Sequence, residues 1–165
     1  MWNLKAAAVF IAAAKLTVCA ELGVLDGGPL SQALSQAAAK GVHLRLLLDP
    51  TERSTRLEGR ALALPPQGLS PSAAVTVELR WAPSAGARQR DLLRDASALM
   101  RWTPGQAPWQ DDKAAAAYGQ DFERRWSRAA AALPEAQALE DDLKALPDPR
   151  VNDPRIIRRR DASGE

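Results

Sequence analysis

Charged side chains at close spacing make residues 88–95, RQRDLLRD, the segment of this sequence best suited to chemistry. Three arginines and two aspartates surround two leucines, between an alternating stretch at 75–81 and an apolar run at 98–102. Guanidinium groups bind phosphate and carboxylate through paired hydrogen bonds, so the segment is a candidate anion site. The alternatives are a solvated turn whose charges pair among themselves and the remainder of a catalytic motif.

Other groups that commonly carry chemistry are scarce in this chain. A single cysteine, Cys19, excludes an internal disulfide and a multi-cysteine zinc site, and its apolar surroundings predict a small buried side chain. The single histidine, His43, lies in an aliphatic run and is expected to be a partly buried imidazole beside a sheet. The carboxylates at 111–112 and 140–142 are expected near helix starts, where they favour the helix dipole. No cofactor and no metal site is predicted.

The composition is that of a globular chain of nearly neutral charge. A length of 165 residues suits one domain whose core needs neither disulfide nor metal. A formal net charge of +2, from 22 basic and 20 acidic side chains, is too small to indicate a nucleic-acid or membrane ligand from bulk electrostatics. The apolar runs are too short to span a membrane, and a cytoplasmic location is expected.

The charged segment must be positioned by an α/β scaffold, because helix and strand patterns alternate before it. A helix at 2–14 is followed by a β-branched stretch at 15–25, which predicts a strand instead of a secretory signal because a lysine interrupts the apolar run. A helix that begins at Pro29 and ends at Gly41 leads into an aliphatic strand at 42–48. These pieces predict a strand–helix–strand unit with parallel strands.

The second half of the chain predicts further strands and a closing helix. The expected elements are a long connection at 50–74 with a short helix near 55–64, strands at 75–81, 91–94 and 98–102, and a long helix at 109–133. Trp81, Trp109 and Trp126 are expected in the core. The connection, charged and then rich in proline, is expected to be a surface segment.

Three segments describe the predicted domain organisation. Residues 1–132 form the α/β domain, 133–146 a C-terminal helix and 147–165 a flexible tail. The arginines of RIIRRR at 155–160 are diluted by neighbouring acidic residues, which favours an ordinary C-terminus over a nucleic-acid contact.

Two segments outside the charged stretch have the pattern of a known family. Residues 10–50 contain a helix with an Ala-Ala-Lys-like ending, a strand, a second helix, a Lys-Gly-Val step and the strand LLLDP. Residues 115–126, AAAYGQDFERRW, end in Phe-x-x-x-Trp. This order resembles a phospholipase D-like half-domain over residues 4–127. The resemblance implies an α-β-α layered fold, in which a central mixed sheet is flanked by helices.

The resemblance also implies what residues 88–95 replace. The family's chemistry resides in a His-x-Lys-x-x-x-x-Asp motif, and two copies of it face each other in one active site. One histidine attacks a phosphodiester phosphorus, while the other serves as general acid and then base. With Asp95 at the motif's aspartate, Arg88 stands at the histidine and Arg90 at the lysine. Arginine stays protonated and offers only donors, so Arg88 can neither attack phosphorus nor carry a proton.

A second departure from the family lies at 98–103, ALMRWT. This segment stands where the family has Gly-Ser-x-Asn, and Arg101 falls in its serine–asparagine region. Both departures predict a domain without phosphodiesterase activity.

The favoured function is therefore a catalytically inactive binding module for phosphate-bearing ligands, nucleic acid first among them. The ligand is expected in an arginine-lined former catalytic cleft whose candidate residues are Arg88, Arg90, Asp95 and Arg101. The family's paired halves imply a homodimer or a second phospholipase D-like half as partner. The alternatives are a structural or regulatory subunit that acts through protein–protein contacts, and a phosphodiesterase or nuclease of altered mechanism.

Overall fold

The computed structural model describes residues 4–25, 27–63, 77–83, 90–103 and 106–133 of the chain. Its elements are α1 (Leu4–Ala12), β1 (Thr17–Leu22), α2 (Pro29–Ala39), β2 (His43–Leu48), α3 (Arg53–Ala63), β3 (Val77–Trp81), β4 (Arg90–Arg94), β5 (Ala98–Trp102), β6 (Trp109–Gln110) and α4 (Ala115–Arg128), with a 3-10 turn at Asp112–Ala114. A compact unit over Met1–Ala132 contains all of them. Apart from Leu133, the predicted helix at 133–146 and the tail at 147–165 lie outside the described residues.

A six-stranded mixed sheet with the order β3-β2-β1-β4-β5-β6 forms the centre of the fold. The strands β3, β2 and β1 run parallel to one another, whereas β4 is antiparallel to β1 and β5 and β6 continue in antiparallel pairing. The predicted α/β architecture and its first strand–helix–strand unit are thus confirmed. Because β4 runs against β1, its first residue lies beside the C-terminal ends of the parallel strands β1, β2 and β3. This end of the strands is called the edge of the sheet below.

Helices cover both faces of this sheet. On the first face, α1 reaches β4 through Phe10 and Arg94, whose guanidinium carbon lies 4.4 Å from the ring centre. Gly59 of α3 packs against Leu48 on the same face, and α2 packs against α1 and β2. On the second face, α4 forms an apolar cluster with four strands, made of Cys19, Leu47, Leu93, Leu99, Ala115, Tyr118, Phe122 and Trp126.

Local sequence accounts for the limits of α2. Pro29 occupies the first position of the helix. Proline has no backbone N–H, but an N–H at this position would have no partner within the helix, so nothing is lost. After the C-terminal cap at Lys40, Gly41 has a φ of +88°, in the left-handed region that glycine enters without steric cost. Both predicted ends of this helix are confirmed. None of the described helices is long and apolar enough to cross a membrane.

The closing helix is shorter than the predicted range of 109–133. It begins at Ala115, because Trp109–Gln110 pairs with β5 as the edge strand β6. Pairing with a neighbouring strand satisfies backbone groups that a helix would otherwise satisfy, and here it overrides the helical pattern. Trp109 is consequently 42% exposed, so its predicted place in the core is wrong, whereas the tryptophans of β3 and α4 are buried as predicted.

Candidate functional site

One row of side chains crosses the first face of the sheet at the edge where the parallel strands end. Strand register aligns one residue from each of five neighbouring strands: Trp81, Leu48, Leu22, Arg90 and Trp102. Aligned partners project to the same face, so all five side chains lie on the face covered by α1 and α3. Four of them are buried, and Arg90 is the one charged member of the row.

Arg90 therefore lies in an environment of low polarity. Its side chain is half-buried between Leu22 and Trp102, which are each 1% exposed. Its guanidinium carbon is 6.0 Å from the ring centre of Trp102. A charge at the margin of a core attracts an opposite charge more strongly than one at a fully hydrated surface. Arg88, the other arginine predicted here, precedes β4 and lies outside the described residues.

The next row along β4 projects to the opposite face and contains Arg101. Successive residues of a strand alternate between faces, so Asp91 points away from Arg90. Arg101 is aligned with Asp91 across β4 and β5, and its Nε donates to Oδ1 of Asp91 at 3.0 Å. The predicted site placed Arg101 near Arg90, but the sheet lies between the two side chains.

Acidic and basic side chains balance one another beneath α4. An Nη of Arg125 lies 2.7 Å from Oε2 of Glu21, and the hydroxyl of Tyr118 donates to the same oxygen at 3.2 Å. Glu21 is aligned with Asp91 in the β1–β4 ladder. Burial raises the pKa of Asp91 and the charge of Glu21 adds to the rise, while Arg101 and Arg125 oppose it. These two carboxylates and two guanidinium groups form a charge-balanced cluster that holds α4 on the sheet.

Asp95 lies at the other end of β4 from Arg90, about 16 Å away at about 3.3 Å per strand residue. Its carboxylate accepts hydrogen bonds from three consecutive backbone N–H groups, those of Lys15, Leu16 and Thr17, at 3.1, 2.7 and 3.0 Å. Burial raises the pKa of Asp95, but the three backbone donors outweigh it and the pKa falls below its ordinary value. Asp95 was predicted to bind ligand beside Arg90, and the structure places it instead as the acceptor that holds the start of β1.

The single histidine, His43, is far from Arg90 along the strands and lies on the opposite face of the sheet. His43 begins β2 and is aligned with Thr17 at the start of β1, so it lies about 16 Å along the strands from the Arg90 row. It lies four positions before the buried Leu47, an even separation along the strand, so it also projects to the face that α4 covers. Its Nε2 is 2.7 Å from Oε2 of Glu78, and the imidazole is 43% exposed.

Two buried polar residues at the Arg90 edge are absent from the sequence prediction. Thr55 and Arg56 come from the first half of α3, in a segment predicted to lie on the surface, yet they are 0% and 3% exposed. The N–H of Leu25 donates to Oγ1 of Thr55 at 3.0 Å, and Nη1 of Arg56 donates to the carbonyl of Pro50 at 2.8 Å. These bonds fix the loops that follow β1 and β2. The available signal was Gly59, because a helix that packs tightly there turns Thr55 and Arg56 inward as well.

Metal and thiol chemistry have little support at the described positions. Within the described ranges, no group of three or more histidine, cysteine, aspartate or glutamate side chains is arranged to hold a metal ion. Cys19 is buried as predicted, and burial raises the pKa of its thiol, which keeps it in the unreactive protonated form.

Comparison with solved structures shows that this arrangement of sheet and helices is a phospholipase D-like fold. The chain is similar to Nuc from Salmonella typhimurium, described as a phospholipase D family member, with a TM-score of 0.57 and 15% identity over 76% of this chain and 88% of that one. It is also similar to NucT from Helicobacter pylori, with a TM-score of 0.57 and 8% identity over 77% of this chain and 89% of that one. The resemblance predicted from sequence is thereby confirmed as a likeness of fold.

A third similar structure is TrmBL2, an archaeal chromatin protein described as showing a novel mode of DNA binding. The TM-score is 0.52 with 16% identity, over 78% of this chain and 50% of that chain. No protein-family model and no curated protein sequence matches the chain.

Proposed function

We propose that this chain is a non-catalytic phospholipase D-like domain that binds phosphate-bearing ligands at the edge of the sheet where β4 begins. Arg90 and Arg88 are the proposed binding residues, and nucleic acid is the favoured ligand class. Arg101 and Asp95 are not included, because the first faces the other side of the sheet and the second lies at the other end of β4.

The observation that carries this proposal is the place of Arg90 in its row. It is the one charge among four buried side chains, at the position where the resemblance puts the family's lysine. A phosphohistidine route needs an imidazole beside the phosphorus. The chain has one histidine, and His43 lies at the far end of the sheet on the other face. A site with an arginine but no histidine beside it favours binding of a phosphate group over its hydrolysis.

The chemistry of guanidinium supports phosphate as the ligand. Its planar donors match two phosphate oxygens at once, and its charge persists at any physiological pH. Among phosphate-bearing molecules, nucleic acid is favoured because TrmBL2, which shares the fold, is described as binding DNA.

Fluorescence anisotropy at low salt tests the proposal, with labelled DNA and RNA as probes. We expect the wild type to bind, and the double variant Arg88→Ala/Arg90→Ala to bind at least about tenfold more weakly with a shallower salt dependence. Arg124→Ala/Arg128→Ala is the matched control, because it removes the same charge from exposed positions of α4. The proposal fails if the wild type does not bind, or if both double variants lose affinity equally.

Two further measurements separate this function from its alternatives. Hydrolysis of bis-p-nitrophenyl phosphate by purified wild type, lost in Arg88→Ala/Arg90→Ala, would show an enzyme of altered mechanism. A stable protein partner in co-purification, together with no affinity for phosphate-bearing probes, would favour a structural or regulatory subunit.

We also propose that two copies of the domain pair, as the family's halves do. Light scattering during size-exclusion chromatography tests this part, and a monomer at micromolar concentration would contradict it without affecting the binding proposal.

A further inference from the structure

Trp102 carries a buried donor without an acceptor. Within the part of the chain that the structure describes, its indole Nε1 is a buried side-chain atom that has no hydrogen-bond partner. The residue is 1% exposed and ends β5, so it lies at the margin of the sheet. An unpaired buried N–H is unfavourable, because it loses its hydrogen bond to water without gaining another, and native proteins keep few of them.

Buried polar side chains of α3 at the same end of the strands have protein partners. Thr55 accepts from a backbone N–H, and Arg56 donates to a backbone carbonyl. Among the residues that the structure describes, the indole of Trp102 is the buried side-chain donor that differs from them. A phenylalanine would keep an aromatic ring at this position without an unpaired donor.

The position of Trp102 relative to Arg90 indicates what acceptor would suit it. The two residues are aligned across β4 and β5 on the same face, with the guanidinium carbon 6.0 Å from the indole ring centre. Indole is a donor only, so its complement is an oxygen with free lone pairs. A phosphate group offers several such oxygens and a negative charge for Arg90.

We infer, resting on the proposed function, that Trp102 is a ligand-binding residue whose indole N–H donates to an oxygen of the phosphate group held by Arg90. The nitrogen is buried in the unliganded chain, so the inference includes a local rearrangement around Trp102 on binding. In surroundings of low polarity, a hydrogen bond to a charged oxygen is stronger than one in water. Trp102 thus adds a directional contact to the charge that Arg90 supplies.

Nuclear magnetic resonance of the full chain labelled with nitrogen-15 observes this contact directly. The sequence has five tryptophans, and the Trp102→Phe variant identifies the Trp102 indole signal by its loss. We expect that signal to move downfield when inorganic phosphate or a short oligothymidylate is added, while the signal of exposed Trp109 stays in place. A shift with inorganic phosphate alone would indicate free phosphate as the ligand, and a shift with both would indicate a phosphate group within nucleic acid as well. If the oligonucleotide binds and the Trp102 signal does not move, the inference is wrong.

Substitution gives an independent test by anisotropy. Trp102→Phe removes the N–H but keeps an aromatic ring, and we expect binding of the labelled oligonucleotide to weaken about tenfold. Trp81→Phe is the matched control, since it alters a buried tryptophan at the other end of the same row and should leave binding unchanged. If the wild type binds through Arg88 and Arg90 but Trp102→Phe binds equally well, only this inference fails. If the wild type binds nothing, the proposed function itself fails.

Discussion

Arg101 donates from Nε to Oδ1 of Asp91 at 3.0 Å on the face of the sheet that α4 covers, while Arg90, the neighbour of Asp91, projects from the opposite face. The two arginines thus have different chemical settings. Arg101 belongs to a charge-balanced cluster, whereas Arg90 is the one charge in a row of buried side chains. This separation leads to opposite expectations for their roles in binding.

Single substitutions should distinguish the two arginines. Arg90→Ala is expected to weaken binding of a labelled oligonucleotide about tenfold, because it removes a charged contact to phosphate. Arg101→Ala is expected to change binding by no more than about twofold, because its guanidinium is already paired with Asp91 on the other face. Anisotropy titrations at one salt concentration measure both. Equal losses in the two variants would contradict the assignment of the site to the Arg90 face.

Arg101→Ala should instead lower stability in a pH-dependent way. Asp91 is 5% exposed, and removing its partner leaves a buried carboxylate unpaired, at a cost of about 1 to 3 kcal/mol near pH 7. The pKa of Asp91 is already raised by burial, and it rises further without Arg101. A raised folded pKa gives a contribution to stability that is present below the unfolded pKa and is lost as pH rises through the folded pKa. The loss in free energy of unfolding, variant against wild type, should therefore be small at about pH 3, where Asp91 is protonated, and should grow toward about pH 7.

Urea denaturation at several pH values measures that deficit. The control is Arg124→Ala, which breaks an exposed ion pair with Asp121 and is expected to cost less than about 0.5 kcal/mol at every pH. A deficit of Arg101→Ala that does not change with pH would show that Asp91 is not the group responsible.

Asp95→Ala should destabilise the fold by about 1 to 2 kcal/mol at pH 7, as the loss of an acceptor for orphan backbone N–H groups does elsewhere. The pKa of Asp95 is lowered by the N–H groups of residues 15–17 against the effect of burial. A lowered folded pKa gives a contribution that is present above the unfolded pKa and lost as pH falls through the folded pKa. The difference between wild type and variant should therefore shrink below about pH 4.

Thermal or urea unfolding of Asp95→Asn separates the charge from the turn. Asparagine also tolerates the left-handed φ of +50° at this position, so it should recover part of the loss that alanine shows. An alanine variant as stable as wild type at neutral pH would argue against a structural role for the carboxylate.

Two helical glycines should respond to alanine in opposite directions. At Gly59 a Cβ would stand 2.5 Å from Cδ1 of Leu48 and 3.2 Å from the ring of Trp81, so overpacking of about 1 to 3 kcal/mol should exceed the helix-propensity gain of about 1 kcal/mol. At Gly119 in α4 the nearest atom, Cδ2 of Leu93, is 3.5 Å away, an ordinary contact. Gly119→Ala should therefore stabilise the protein by up to about 1 kcal/mol. Urea midpoints of the two variants check this, and stabilisation by both would show that α3 is not packed tightly on β2 and β3.

The secondary structure up to Leu48 follows from local patterns. Proline and glycine at the ends of α2, and the aliphatic run of β2, specify a strand–helix–strand unit through backbone preferences and burial alone. The same reasoning fails at Trp109, because its two-residue strand is stabilised by pairing with β5, a contact that no local pattern contains. At this position, backbone hydrogen bonds between β5 and β6 outweigh the local helix propensity.

The spacing of residues 88–95 likewise determined part of the site. A period of two was enough to separate Arg90 from Asp91 onto different faces once β4 was recognised as a strand. The spacing also matched Asp95 to the aspartate of the family motif. It could not predict the partners of Asp95, which are backbone N–H groups some eighty positions earlier in the chain.

Only the tertiary structure decided which arginine faces which side. Arg101 is aligned with Asp91, and Trp102 with Arg90, because the turn after β4, with left-handed φ values at Asp95 and Ala96, sets the register of β5. A register shift of one residue would have turned Arg101 toward Arg90 and hidden the indole of Trp102 on the other face. The amino-acid sequence by itself determined the α/β class of the domain and placed arginines at 88 and 90. Strand pairing, which depends on contacts distant in the chain, determined that a charged and an uncharged donor meet at one edge of the sheet.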